Sequence, residues 1–358
     1  MSEMQMESVM KGMDVKMKII VADTTSLVRN GMLYGHGKAV AKSYFNALNG
    51  KCDIQIAGGS GYKKEIENVL TLPFNTDEKD SKIKKIFKGF ANSVVTLFLP
   101  ADAIIFQNQY ITPLLLAINM FPFKKNIYVI YYNKPISNSN TEKEKHLFEV
   151  AQKKIKGILT SIGDIEKETT VPICQVPDYF PTAVPEKAIL GTIDFVILGT
   201  ASWAKNYEMV VQTLNESEYS CVIAGKFEDE NRYEKLVSIA KKNIKIYNKY
   251  ISDVEYKSIL SKARYVVLPY DKEHYKEKSS GVVLEALYAG KPVIAPRIQS
   301  FLFVEEYGIG LLYDNSIDEI IDECNSRYSE LVYNIKKYVE QEKESIDDLI
   351  RFIKDNNY

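Results

Sequence analysis

The chain has 358 residues, of which 46% are hydrophobic and 26% charged, a composition typical of a globular protein with one large domain or two domains. Its 46 basic and 47 acidic side chains nearly cancel, which gives no support for a nucleic-acid partner, because such proteins usually carry a basic face. No C-x-x-C zinc or redox pair is present, since the four cysteines are far apart in sequence: Cys52, Cys174, Cys221 and Cys324. We expect four reduced core thiols, as in a cytosolic protein.

Two regions bear on where the protein works. Residues 1–15 are rich in Met, carry both charges and lack an apolar run of signal-peptide length, so we expect a disordered extension. The most apolar stretch, residues 101–123, contains Asp102, Pro113 and several amides, and therefore does not predict a transmembrane helix. With neither an export signal nor a membrane span, the expected location is the cytoplasm.

Strands and helices alternate along the first half of the chain. Lys18–Ala22 is a short β-branched run that predicts a buried first strand, and a loop and a helix over residues 38–48 follow it. Further strands are predicted at residues 52–57, 103–107, 127–131 and 155–160. Such alternation is typical of a parallel α/β sheet.

A proline-rich stretch, residues 176–187, separates this half from the next. Its three prolines favour an extended chain and exclude a helix, so it is the predicted domain linker. The alternation then resumes, with strands predicted at residues 194–199, 220–224, 244–247, 265–269 and 292–295, and helices at 207–214 and 234–242. The tail, residues 316–358, has apolar residues at helical spacing and predicts two or more amphipathic helices.

The predicted fold class is therefore α/β, with two Rossmann-like domains that face a cleft and C-terminal helices after them. The predicted division is a disordered extension at residues 1–15, a first domain at 16–180, a second domain at 181–335, and a C-terminal helix at 336–358. We expect this last helix to pack back toward the first domain.

The most informative segment covers residues 277–296, EKSSGVVLEALYAGKPVIAP. After the strand at residues 265–269, Ser279 or Ser280 is a suitable N-cap, Gly281 permits close backbone approach, and a helix is predicted over residues 282–289. The N-terminus of such a helix lies at the carboxyl edge of the sheet, where its free N–H groups favour a phosphate.

Two carboxylates, Glu277 and Glu285, flank this predicted anion site. A carboxylate only accepts hydrogen bonds, so it pairs naturally with sugar or ribose hydroxyls. Hydroxyl binders beside a phosphate binder are what a nucleotide sugar requires. The alternative is that Glu277 is solvated and Glu285 lies on an exposed helix face.

With the A-L-Y-A-G-K-P-V-I-A that follows, these two residues resemble the E-x7-E signature of retaining, family-4-like glycosyltransferases of the GT-B fold. The resemblance implies that Glu277 contacts the transferred sugar and Glu285 the ribose. It also implies that the backbone between them lines the sugar–diphosphate junction, at Ser279, Ser280, Gly281 and Val282. The segment has K-S-S-G where many members have G-F-G.

A second match is the segment VILGTASWAKN, at residues 196–206. In the family, a strand ends in Gly, then come Arg and, five residues later, Lys, and both cations hold the donor diphosphate. Gly199 and Lys205 match this pattern, whereas Thr200 occupies the position of the Arg. The resemblance implies a catalytic role for Lys205 as a point charge on the diphosphate. Arg297 or Lys278 is a candidate replacement for the missing Arg.

The loop after the first strand, residues 23–38, contains several glycines. In the family, a glycine loop here faces the donor across the cleft. The resemblance therefore places Gly35 and Gly37 on the acceptor side of the cleft, with His36 and Arg29 able to reach the phosphate or the acceptor. The histidine that many members carry after a first-domain strand is absent here, where Tyr132 and Asn133 stand.

The resemblance implies a glycosyltransferase that moves a sugar from a nucleotide-diphosphate sugar to a glycan or lipid-linked acceptor, in bacterial surface polysaccharide or glycoconjugate synthesis. No cofactor and no metal are expected, because the chain has no D-x-D motif and no protein nucleophile is evident. One alternative is a non-catalytic binding subunit, which is favoured by Thr200 in place of the Arg and by the absence of the histidine. The other is a nucleotide-sugar epimerase on the same fold. A phosphorylase and an NAD-dependent oxidoreductase fit less well.

The segment of residues 81–98 is cationic and then apolar. One interpretation is a helix that lies on an anionic membrane surface, which suits a lipid-linked acceptor and an enzyme at the inner face of the cell membrane. The other is a solvated helix that enters a core.

Overall fold

The computed structural model describes residues 16–29, 32–33, 35–77, 79–107, 110–122, 125–132, 135, 141–162, 165–185, 191–276 and 278–357. The predicted extension at residues 1–15, together with Glu277 and Asn133, lies outside the described residues.

The first domain is built on a seven-stranded parallel sheet in the order β10-β9-β8-β7-β1-β4-β5, beside a small sheet in the order β3-β2-β6. Its strands are β1 (Lys18–Ala22), β2 (Leu27–Arg29), β3 (Met32–Leu33), β4 (Asp53–Gly58), β5 (Val69–Thr71), β6 (Thr76–Asp77), β7 (Ala103–Gln107), β8 (Ile127–Tyr131), β9 (Ile155–Thr160) and β10 (Ile173–Gln175). Its helices are α1 (His36–Leu48), α2 (Lys82–Leu97), α3 (Ile111–Met120) and α4 (Glu142–Ala151). The central strands read as continuous apolar runs because helices cover both faces of the sheet.

The second domain is built on a six-stranded parallel sheet in the order β13-β12-β11-β14-β15-β16. Its strands are β11 (Ile193–Leu198), β12 (Cys221–Gly225), β13 (Ile244–Asn248), β14 (Ala263–Val267), β15 (Val293–Pro296) and β16 (Gly310–Tyr313). Its helices are α5 (Tyr207–Asn215), α6 (Glu230–Ile239), α7 (Asp253–Lys262), α8 (Lys272–Tyr275), α9 (Gly281–Tyr288), α10 (Leu302–Glu306) and α11 (Glu323–Asn356). The mixed α/β architecture with two parallel sheets confirms the predicted fold class.

The prediction missed the small sheet: β2 and β3 lie within the segment predicted as a loop, residues 23–38, and β6 has only two residues. In the two main sheets, the strands that the sequence did not reveal lie at sheet edges. β5 and β10 form the two edges of the first sheet and β16 forms one edge of the second. Each has only three or four residues, so no apolar run stands out in the sequence. The predicted boundaries of the central strands agree with the structure within one or two residues.

The C-terminal prediction was wrong in one respect. The tail forms one 34-residue helix, α11, after a short 3₁₀ turn, rather than two or more helices, and the division predicted at residue 335 falls inside it. The first half of α11 packs in the core of the second domain, through residues such as Leu331 and Ile335. Leu349 and Ile353, further along, are buried against the first sheet, with Ile19 among their cluster. A single rigid helix therefore ties the two domains together.

The linker is also more than a spacer. Residues 176–181 have no regular secondary structure, as the prolines predict, yet all six are buried. The chain here passes between the domains rather than around them. Among the described residues, none of the helices is both long enough and apolar enough to cross a membrane.

Candidate active site

The two domains meet where one helix of each begins. α1 starts at His36 in the first domain and α9 starts at Gly281 in the second. A Cβ atom added to Gly281 would lie 3.3 Å from His36 Nδ1 and 3.5 Å from the Tyr179 hydroxyl, so the two elements approach closely here and a side chain would crowd the His36 ring. The predicted Gly281 and His36 are therefore brought together.

Both helix N-termini lack a side-chain cap. Ser280 is the N-cap residue of α9, but its hydroxyl shares a 2.9 Å hydrogen bond with the Tyr270 hydroxyl instead of capping the helix. Gly35, with φ of +89°, precedes α1 and has no side chain to offer. Neither helix has an acidic residue in its first turn. Their first N–H groups and positive dipole ends are thus left for an anion.

The loop after β11 carries the buried cation of the site. Gly199 has φ of +92°, a left-handed conformation that favours glycine. A Cβ atom there would lie 3.7 Å from Lys205 Nζ and 3.8 Å from Val282 Cγ2. The structure therefore groups Gly199, Lys205 and Val282 at the start of α9.

Lys205 is 5% exposed and donates a 2.7 Å hydrogen bond from Nζ to the Thr200 carbonyl. Burial lowers the pKa of its ammonium to about 8. Thr200 thus contributes its backbone oxygen, not its side chain, to this contact. The Tyr270 ring lies 5.6 Å from Nζ, close enough for a cation–π interaction.

Of the two proposed replacements for the missing Arg, Arg297 is engaged elsewhere and Lys278 lies beside the site, next to His274, whose ring packs on Trp203 of the Lys205 loop. Arg297 pairs with Glu305 and Asp314 on the outer part of the second domain. Lys278 Nζ lies 3.1 Å from His274 Nε2, and burial lowers the pKa of this lysine.

Sequence reasoning missed Arg232, which holds the Lys205 loop in place. Its guanidinium donates to the Ser202 carbonyl at 3.0 Å and to the Lys205 carbonyl, and it pairs with Glu208. Because Arg232 is on α6, far from the motif in sequence, no local pattern identified it.

Glu285 is partly buried on α9 beside the hydroxyls of Tyr256 and Tyr179. Burial raises the pKa of its carboxyl, and the hydrogen bond to Tyr256 opposes that shift. The Tyr179 hydroxyl also donates to the Gly281 carbonyl. Glu285 is therefore partly buried between two tyrosine hydroxyls, so the alternative that it lies on an exposed helix face is wrong.

Asp178, in the buried linker, is the other residue that the sequence did not reveal. It is 1% exposed and accepts a 2.7 Å hydrogen bond from Ser161 in the first domain and a 2.6 Å hydrogen bond from Ser279 in the second. His36 Nε2 lies 3.8 Å from the same carboxylate oxygen that Ser279 contacts. Burial lowers the pKa of His36, and the nearby Asp178 opposes that shift.

Two further contacts cross between the domains. The Ser279 N–H donates to the Tyr132 carbonyl at 3.3 Å, and the Tyr132 ring lies edge-on to His36 at 4.7 Å. Arg29 on β2 lies over the Tyr250 ring at 4.4 Å, so its guanidinium faces the second domain. Gly37 is buried in the first turn of α1, where its carbonyl accepts a 3.4 Å hydrogen bond from Tyr62.

Within the described part of the chain, no three His, Cys, Asp or Glu side chains are grouped so that they could share a metal ion. Among the described residues, the positive groups at this site include Lys205 and the two helix N-termini, with Lys278 beside them.

Residues 184–341 match the family of glycosyl transferases group 1, and no curated protein is significantly similar to the chain in sequence. Solved structures share the fold across nearly the whole chain. AviGT4, a glycosyltransferase involved in avilamycin A biosynthesis, is 11% identical, with a TM-score of 0.65 over 95% of this chain and 98% of that one. The sucrose-phosphate synthase of Thermosynechococcus elongatus is 14% identical, with a TM-score of 0.65 over 93% and 98%. An Escherichia coli trehalose-6-phosphate structure with bound UDP-2-fluoro glucose is 8% identical, with a TM-score of 0.64 over 94% and 98%.

Replacing Asp178 by Ala is expected to lower the free energy of unfolding by about 1–3 kcal/mol, because the Ser161 and Ser279 hydroxyls would lose a buried acceptor. Urea unfolding followed by circular dichroism measures this. Asp347→Ala is the matched control: it removes an exposed ion pair with Lys51, which is expected to contribute about 0–1 kcal/mol. Equal effects of the two substitutions would contradict the bridging role of Asp178.

Proposed function

We propose that this chain, a glycosyltransferase with the GT-B fold, transfers a sugar from a nucleotide-diphosphate sugar to a glycan or lipid-linked acceptor. The observation that carries the proposal is the convergence of two uncapped helix N-termini and the buried Lys205 at one point between the domains. Such a site suits a diphosphate, because N–H groups, helix dipoles and a cation all favour negative charge there.

Lys205 acts on the departing nucleotide diphosphate. As the bond from the sugar to the diphosphate breaks, negative charge develops on the leaving oxygen, and a preformed cation stabilises it most where water is excluded. Lys205 is almost fully buried, so its charge acts in such a place. The N–H groups at Ser280, Gly281 and Val282 supply the remaining positive field, with Gly199 leaving room for the phosphates.

The two glutamates bind hydroxyl groups. Glu285, beside Tyr256 and Tyr179, would accept hydrogen bonds from the ribose. Glu277, which lies outside the described residues, would contact the transferred sugar, with Ser279 lining the junction. These roles come from the resemblance to the E-x7-E signature, as does retention of the anomeric configuration.

The acceptor would enter from the first-domain side, beside Gly35, His36 and Gly37. The position of His36 against Gly281 supports a role for this residue near the acceptor hydroxyl. Arg29 would close this side of the cleft through its contact with Tyr250. We propose that the reaction needs no metal, because the chain itself supplies positive charge at the diphosphate. We propose further that the enzyme acts in bacterial surface polysaccharide or glycoconjugate synthesis.

Binding of one nucleotide, free or as its sugar conjugate, is expected to raise the melting temperature of the native chain. A ligand at 100 times its dissociation constant adds about 2.7 kcal/mol of stability. The measurement is a thermal shift with UDP, GDP, ADP, CMP and their common sugar conjugates. Glu285→Ala should abolish the shift, because the ribose hydroxyls lose their acceptor.

The matched control is Glu273→Ala, which removes an exposed glutamate from the neighbouring short helix α8 and should leave the shift intact. A shift without turnover of the sugar conjugate in the presence of acceptors would favour the non-catalytic subunit. Conversion of the bound UDP sugar to its epimer would favour the epimerase. No shift with any nucleotide contradicts the proposal.

The affinity for the nucleoside diphosphate is expected to weaken as the pH rises above about 8. The pKa of Lys205 is lowered to about 8, so its ammonium is charged below pH 8 and neutral above it. Above pH 8, Lys205 must therefore take up a proton when the diphosphate binds. The dissociation constant should rise by a factor that approaches about tenfold per pH unit. Calorimetric titrations between pH 7 and 9.5 measure this.

Lys205→Arg should remove the pH dependence, because a guanidinium remains charged throughout this range. Lys205→Met should bind weakly at every pH. An unchanged affinity across the range in the native chain would mean that Lys205 does not contact the diphosphate.

We also propose that α2 rests on the inner face of the cell membrane, which would bring the enzyme to a lipid-linked acceptor. Ile83 is 81% exposed and Phe87 60% exposed on α2, and Phe98 just beyond it is 63% exposed. Apolar side chains presented on a helix that also carries lysines are typical of interfacial binding. Lys84 and Lys88 pair with Asp80, so the apolar residues make the larger contribution.

The chain is accordingly expected to sediment with vesicles of phosphatidylglycerol and phosphatidylethanolamine, and the double variant Ile83→Ser with Phe87→Ser is expected to stay in the supernatant. Val254→Ser, at a position 79% exposed on α7, is the control that should still sediment. Equal sedimentation of both variants would contradict a membrane role for α2.

A further inference from the structure

A second cavity of about 650 Å³ lies between the domains, behind the segment that forms the proposed donor site. Its walls come from the ends of β9 and β10, from the start of α9, and from α10 and the middle of α11. The volume falls within the range of about 300–1,000 Å³ that is typical of small-molecule sites.

This cavity is separate from the donor side of α9. Val283 and Leu284 line it, whereas Val282 and Glu285 belong to the donor site. At about 100° per residue, these two pairs lie on opposite faces of the helix. Only Ser279 and Ser280, just before the helix, border both spaces.

One wall of the cavity is aromatic. Tyr307 and Tyr338 meet edge-to-face with ring centroids 5.1 Å apart, and Phe303 lies against Tyr338 at 6.1 Å. Tyr307 is 45% exposed, so its ring is available to a ligand. An aromatic face of this kind packs against the C–H face of a sugar ring, which buries apolar area without demanding charge.

Beside this wall, the carboxyl of Glu342 has one oxygen that is not hydrogen-bonded. Its Oε2 atom is buried and has no hydrogen-bond partner. Burial raises the pKa of Glu342 to about 7, and Tyr338 contacts the same carboxyl. A buried polar atom is normally satisfied, so an orphaned oxygen in a cavity wall points to a ligand that donates a hydrogen bond.

The chemistry of the lining selects among ligands. Among the described residues that line the cavity, two are acidic, Glu306 and Glu342, and one is basic, Lys276, so a phosphate-rich ligand is disfavoured. A carboxyl that is about half neutral near pH 7 is a poor partner for an ammonium group, but it both donates to and accepts from hydroxyl groups. The amide of Gln175, at the first-domain side, adds further hydrogen-bonding capacity.

We propose that this cavity is a second saccharide-binding site, in which Glu342 binds sugar hydroxyls and Tyr307 packs against a sugar ring. It is distinct from the donor site and does not depend on the identity of the nucleotide. Because both domains contribute to its walls, an occupant would contact the first domain near Gln175 and the second near Tyr307.

The test is binding of the full chain to an array of mono- to tetrasaccharides, followed by calorimetry with the free sugar that gives the strongest signal. Tyr307→Ala and Glu342→Met are expected to raise the dissociation constant of that sugar at least tenfold. Glu342→Met removes the orphaned oxygen and also the acceptor of the Tyr338 hydroxyl, so urea unfolding is used to check that this variant remains folded. Tyr307→Ala, which changes a ring that is 45% exposed, is the second variant, and loss of binding counts for the cavity only in a variant that unfolds cooperatively.

Three control variants separate the cavity from the rest of the molecule. Tyr333→Ala removes a tyrosine 60% exposed elsewhere on α11, and should bind the sugar like the native chain. Glu285→Ala and His36→Ala alter the donor and acceptor sides of the cleft and should also leave this binding unchanged. If the native chain binds no nucleotide but still binds the saccharide, the proposed function is contradicted and the second saccharide site is not.

Two results would overturn the inference. One is that no saccharide on the array binds the native chain, which would mean that water satisfies Glu342. The other is that the bound sugar is lost in His36→Ala but retained in Tyr307→Ala and Glu342→Met, which would place it in the acceptor side of the cleft.

Discussion

The arrangement of the site depends on one buried carboxylate. Asp178 accepts hydrogen bonds from Ser161 of the first domain and Ser279 of the second, and it lies next to His36. A charge buried this deeply is tolerated only where its hydrogen bonds are satisfied, so the two serines must stay within reach of it. This requirement fixes the segment just before α9 relative to α1, and with it the distance between the two helix N-termini.

In the proposed function, that constraint compensates for Thr200, which occupies the position of the Arg in the family that the segment resembles. Arg297 does not contribute to the positive field of the site, since it is paired with Glu305 and Asp314 elsewhere. That field comes from backbone dipoles held rigidly in place and from Lys205, whose burial makes its single charge act strongly over a short distance. A preorganised backbone needs no flexible side chain to be ordered when the ligand binds.

The sequence predicted the parts of the structure that local pattern controls. The central strands were visible because they are apolar on both faces, and the start of α9 was visible because Ser280, Gly281 and the apolar run after them fall within a few residues. Arg232 and Asp178 could not be predicted, since each acts on residues far away in the chain. Ser280 shows the limit of capping rules as well, because its hydroxyl bonds to Tyr270 and leaves the helix uncapped.

The segment from Ser279 to Leu284 therefore serves two spaces at once. One face of the first turn of α9 borders Lys205 and Gly199, while the other borders the cavity beside Glu342. Ser279 itself is held by Asp178, so one buried hydrogen bond positions this segment for both spaces. Because Val282 and Glu285 lie on one face of α9 and Val283 and Leu284 on the other, each space has its own side chains, and a substitution in one is expected to leave the other intact.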